Sequence, residues 1–122
     1  MPNTAEHIRQ AEHNEALAAR CTQNFPDWAM TALFYAALHW AEAYFYADRP
    51  SGKPDGYITH DERSAAVLDR ISQEAYTQYR YLEDQSRNAR YRCTRFSKAD
   101  IAIVQRDYYA PFRDTVRARL PQ

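Results

Sequence analysis

Residues 26–47 read Pro26-Asp27-Trp28-Ala29-Met30-Thr31-Ala32-Leu33-Phe34-Tyr35-Ala36-Ala37-Leu38-His39-Trp40-Ala41-Glu42-Ala43-Tyr44-Phe45-Tyr46-Ala47. On a helix drawn through this run, Trp28, Ala32, Leu33, Tyr35, Leu38, Trp40, Ala41 and Tyr44 cover nearly every side. A helix apolar all round belongs at the centre of a bundle. Pro26 suits its first turn, where a helix has no use for the missing N–H. The whole chain has 122 residues, 45% hydrophobic and 26% charged, which is the size and composition of one globular domain. It holds only two glycines, which argues against an all-β fold of tight turns and against a Gly-rich phosphate loop.

Upstream, Asn3-Thr4-Ala5-Glu6 has the form of a capping box, and a helix follows to about Cys21 with Ile8, Ala11 and Leu17 as its inward stripe. Downstream, residues 48–58 contain both glycines and two prolines and make a loop. Thr59-His60-Asp61-Glu62 opens a further helical pattern that continues through Val67, Ile71, Ala75, Tyr79 and Leu82 to about Ala89. Unbroken, that helix has roughly 30 residues, longer than a globular helix usually is. Ser72, followed by Gln73 and Glu74, can cap a new start, so a bend or break is expected near Ile71-Ser72. After a connector at Arg92–Phe96, Ser97-Lys98-Ala99-Asp100 caps the last helix, whose inward positions are Ile101, Val104, Tyr108, Phe112 and Val116. Pro111 should kink it near residue 107. The expected fold is all-α, an antiparallel four-helix bundle.

Net charge is zero, so no global field points to nucleic acid or membrane. Residues 1–61 carry four basic and eight acidic side chains and residues 62–122 carry twelve and eight, which makes the chain a dipole. No apolar stretch approaches the roughly 20 residues a bilayer span needs, and MPNTAEHIRQ lacks a signal-peptide pattern. A cytoplasmic protein without a membrane partner is the expectation. Cys21 and Cys93 lack CxxC spacing and read as core thiols.

Three polar clusters can carry chemistry. Tyr35, His39, Glu42 and Tyr46 fall at i, i+4, i+7 and i+11 on one helix face. Buried imidazole and carboxylate are costly unless paired, so these four form either a satisfied core network or a groove with His39 as acid/base and Glu42 as its orienter. His60 and Arg63 read first as local capping with a surface ion pair, and alternatively as a basic pair facing Glu42 or Tyr46 across the loop. Following Ser86, Arg87, Arg90, Arg92 and Arg95 fall within nine residues around Tyr91 with no acid among them. Arginines interleaved with an aromatic suit phosphate contacts and base stacking, while arginines at a helix C-terminus also answer its dipole. No HxxH, HExxH, ExxH or GxSxG pattern occurs, so no metal, cofactor or serine nucleophile is expected.

The run Trp28 to Tyr44 resembles a segment recurrent in small HEPN-like proteins, and His60-x-x-Arg63 and Ser86-x-x-Ala89-Arg90-Tyr91 are similar to strings of the same group. The resemblance spans residues 5–118. It implies a helical bundle that pairs as a homodimer, with metal-independent RNase activity in many members and binding or accessory roles in others. It also implies RNA or a nucleotide, and an antitoxin or nucleotidyltransferase, as partners in a toxin–antitoxin or defence setting. The active RNases carry Arg-x(4–6)-His near the last helices. Here Arg95, Phe96 and Ser97 stand in the histidine's place after Arg90, and no arginine precedes any of the four histidines at that spacing.

Cleavage through a 2′-hydroxyl needs a base, an acid and a cation. His39 or His60 would supply the first two, and Arg90 the third. A straight helix would separate His60 from Arg90 by about 45 Å, so a shared site requires a break near Ser72 or a dimer partner. The expected activity is binding of RNA or a nucleotide phosphate through the arginines. The alternative is a non-catalytic interaction or structural module in which the polar groove is a stabilising network.

Overall fold

The computed structural model describes residues 2–48, 57 and 59–121. Among these every regular element is helical: α1 (Thr4–Cys21), α2 (Pro26–Ala47), α3 (His60–Arg70), α4 (Gln73–Tyr91), α5 (Lys98–Val104), a π-helical turn (Gln105–Tyr109) and α6 (Ala110–Arg119). Most of the expected loop, residues 49–56 and 58, lies outside the described residues.

Local chemistry sets the helix starts. Asn3, Thr59, Ser72 and Ser97 each accept, through the side chain, the backbone N–H three residues on. That satisfies one of the orphan donors every helix start exposes. At α2 the N-cap is Phe25, which offers no acceptor, and Pro26 begins the helix instead. α3 ends at Arg70, and Ser72, extended at φ −170° and ψ 165°, caps α4.

α2 packs against α1, α4 and α6. Met30, Leu33, Phe34 and Phe45 are fully enclosed, and the alanines at 29, 36, 37, 41 and 43 let neighbouring helices approach closely. Burying each large side chain contributes about 1.5–3 kcal/mol. Tyr79, Leu82, Phe112 and Val116 complete the core from α4 and α6.

Pro111 acts differently from the expected kink. It lacks an N–H, and its ring would crowd the carbonyl four residues back. The chain widens into the π turn, and the Ala110 N–H bonds the Gln105 carbonyl five residues back. The helix thus continues, with Tyr109 fully buried. Its hydroxyl donates to Glu15 and accepts from Trp40 Nε1 at 3.0 Å, joining α1, α2 and the π turn.

Three expected core residues are outside it. Leu17 and Trp28 are 46% and 56% exposed, because both edge an open groove between α1 and α2. Asn14 and Ala18 are buried in α1 beside Ala11. Cys93 is exposed, with φ 54° where α4 terminates, and Cys21 is half-buried; both thiols are free. No helix among the described residues is long and apolar enough to cross a membrane.

Candidate functional site

The break at Ile71-Ser72 folds α3 back along α4, so that His60 Nδ1 lies 3.7 Å from Glu83 Oε2. Glu83 is 1% exposed, at i+4 from Tyr79 in the inward stripe of α4. Arg80 Nη1 approaches its Oε1 at 3.2 Å and Arg87 Nη2 its Oε2 at 3.9 Å. Neither carboxylate oxygen has an aligned hydrogen bond among the described residues, nor does the buried Ser86 hydroxyl one turn on. Two guanidiniums, from Arg80 and Arg87, therefore hold this acid.

Beside it runs a second buried pair. Arg63 Nε donates to Glu42 Oε1 at 2.6 Å, and Arg63 Nη2 donates to the Tyr57 carbonyl at 2.7 Å. The Tyr57 N–H donates to the same Glu42 oxygen at 3.3 Å. Arg63 is thus enclosed rather than a surface ion-pair partner. It faces Glu42 because the end of α2 and the start of α3 are neighbours. Glu42 accordingly serves Arg63 and does not orient His39.

Arg63 Nη1 also points at His60 Nδ1, 3.3 Å away. A guanidinium can only donate, so Nδ1 is the acceptor and the neutral ring carries its proton on Nε2. Burial first, then the charge of Arg63, lowers the His60 pKa; Glu83 raises it, and Arg87 and Arg90 add smaller downward pushes. Near neutral pH this half-exposed ring is uncharged, with its acceptor nitrogen turned to Arg63 and its N–H at the free edge.

His39, on the same face of α2, turns toward α1 instead. Its Nδ1 meets His7 Nδ1 at 3.0 Å, one ring donating and the other accepting. Burial, then His7 and Arg63, lowers its pKa from 6.5 to about 4. No contact joins His39 to His60 or to the arginines of α4 among the described residues.

The arginine cluster divides. Arg87 leans on Glu83. Arg90 Nη1 donates to the Tyr35 hydroxyl at 2.8 Å, and its guanidinium lies 4.9 Å from the Tyr91 ring centre. Arg92 donates to the Asn88 side-chain oxygen at 2.9 Å. Arg95 is exposed and edges a cavity at the α4–α5 connector. Arg90, Arg92 and Arg95 have no carboxylate partner among the described residues, and Tyr91 between them is 73% exposed. Tyr46, the last of the expected groove residues, is half-buried at the far end of α2.

The structure thus brings His60, Arg63, Glu42 and Tyr35 to one side of α2 with Ser86, Arg87 and Arg90, and leaves His39 with α1. Sequence reasoning missed Arg80, Glu83 and His7. For Glu83 a signal exists: it is an acid inside the Tyr79-Leu82-Glu83-Ser86 stripe, at otherwise inward spacing. Among the described residues no group of three or more His, Cys, Asp or Glu is placed to hold a metal ion. No family model, curated protein or solved structure matches the chain.

Proposed function

We propose that this chain is an HEPN-like domain that binds RNA phosphates through Arg87, Arg90, Arg92 and Arg95, with His60 as a neutral donor at the edge of the site. In this reading α3 and α4 are the two halves of the third helix of an antiparallel four-helix bundle. The observation that carries it is the absence of any carboxylate partner for Arg90, Arg92 and Arg95 among the described residues, with the exposed Tyr91 ring in their midst. Uncompensated guanidiniums suit phosphate oxygens, and an exposed ring suits a stacked base. His60 supports binding over cleavage, because its free edge carries a proton and cannot accept one from a 2′-hydroxyl.

The test is a labelled mixed RNA pool in EDTA, run on native and denaturing gels beside Arg90→Ala/Arg92→Ala. Retention without cleavage is expected, with the double variant losing about 1.4 from the slope of log affinity against log salt. Unchanged affinity in the variant contradicts the reading. Cleavage abolished by Arg90→Ala alone would make the protein a metal-independent ribonuclease instead.

A second reading, a homodimeric interaction module, is favoured by the groove of about 520 Å³ along α1 and α2. Leu17 and Trp28 line it and are left in water, an apolar edge that a second copy would cover.

A further inference from the structure

A cavity of about 370 Å³ lies between the α1–α2 turn and the α4–α5 connector, apart from the Glu83 cluster. Asn24, Phe25 and Asp27 line it from one side and Thr94, Arg95 and Phe96 from the other. The left-handed residue Cys93 turns the chain out of α4 and brings the second group to the first. Phe96 packs on the core and forms a fixed wall, while Phe25 is 60% exposed. Asp27 and Arg95 edge the same cavity, yet no ion pair joins them among the described residues. A ligand that satisfies all of these presents N–H donors to a carboxylate, a flat π-system to two phenyl rings, and an anion to a guanidinium. A nucleotide has those three parts in that order.

We propose that this cavity is a nucleobase pocket for a guanine nucleotide, a deepening that rests on the RNA-binding reading above. Guanine presents adjacent N1–H and N2–H donors, which one carboxylate accepts as a fork. Uracil offers a single N–H between two carbonyl oxygens that repel Asp27. The base lies against Phe96 and Phe25, Asp27 accepts from its edge, and Arg95 takes the phosphate. Asn24 and Thr94 supply further polar contacts at the rim. Arg90 and Arg92 stay outside the pocket and bind the strand.

The test is titration of the full-length ¹⁵N-labelled chain with GMP, UMP and ribose 5-phosphate, followed by amide shifts. GMP should move residues 24–27 and 94–96, with UMP and ribose 5-phosphate at least about tenfold weaker. Phe25→Ala should weaken GMP about tenfold, and its exposure leaves the fold intact. Asp27→Asn should erase the preference for GMP over UMP. No GMP shift at millimolar concentration, or equal shifts from ribose 5-phosphate, overturns the pocket.

Arg90→Ala/Arg92→Ala separates the two claims. Loss of RNA retention in that variant with no GMP response in the parent protein defeats the pocket alone. RNA retention untouched by the variant defeats the strand-binding reading, while GMP shifts still stand for the pocket. A guanine-containing oligonucleotide that displaces GMP assigns the pocket to RNA. One that binds without displacing it assigns the pocket to the free nucleotide.

Discussion

Arg63 and Glu42 show how much one buried pair holds. Each is enclosed, the Nε–Oε1 distance is 2.6 Å, and the remaining Arg63 donors reach Tyr57 and His60. Removing one partner leaves the other charge buried and unpaired, which costs about 3–5 kcal/mol. Urea denaturation of Arg63→Ala should therefore show a midpoint far below the parent protein, and a near-neutral result would show that the pair is solvated. Cys93 poses the opposite case. A non-glycine residue in the left-handed region is strained by about 1–2 kcal/mol, part of which glycine returns as unfolded-chain entropy. Cys93→Gly should raise stability by about 0.5–1 kcal/mol, measurable as a higher melting temperature, and a drop would mean that the thiol makes a stabilising contact.

Between elements, two polar seams matter. The first is the Glu15–Tyr109–Trp40 network that the π turn makes reachable. Tyr109→Phe deletes a buried hydroxyl that serves two partners and should cost about 1–3 kcal/mol in chemical denaturation. The second is the His7–His39 contact between α1 and α2. Burial lowers both pKa values, His39 to about 4, while Glu6 and Glu42 pull His7 upward and Arg63 pushes both down. The folded state prefers neutral rings. The stability they contribute is complete above the unfolded value of 6.5 and is lost as pH falls toward 4. Melting temperature should drop across that window, and more steeply in the parent protein than in His39→Gln. Parallel profiles for the two would remove the histidine pair as the cause.

At the scale of the molecule, the two faces of α2 are put to different uses. The α3–α4 side gathers His60, Arg63, Glu83, Arg87 and Arg90, whereas the α1 side opens into the groove edged by Leu17 and Trp28. If that groove is the contact between two copies, Trp28→Arg should give a monomer by light scattering without lowering the melting temperature. A parent protein that is already monomeric at high micromolar concentration would refute the dimer. The charge dipole read from the sequence has a local meaning here. The excess arginine sits at the end of α4 and on the connector, where three of its members meet no carboxylate among the described residues.

What the sequence determined by itself was local. The caps at Asn3, Thr59, Ser72 and Ser97, the Pro26 start and the all-round apolar character of residues 26–47 mark where helices begin and which is central. Each depends on residues within one or two turns of each other. The polar pairings were decided by the tertiary structure. Arg63 with Glu42, Arg90 with Tyr35 and His7 with His39 are 21, 55 and 32 residues apart, and no spacing rule within a helix connects them. Glu42 and His39 share a face in the sequence but take different partners, because the Arg63 side chain reaches one flank of that face from α3 and α1 packs on the other. Leu17 and Trp28 have the composition of core residues and stay in water, because hydrophobicity says that a side chain would gain from burial. Only the packing of neighbouring helices decides whether anything is there to bury it.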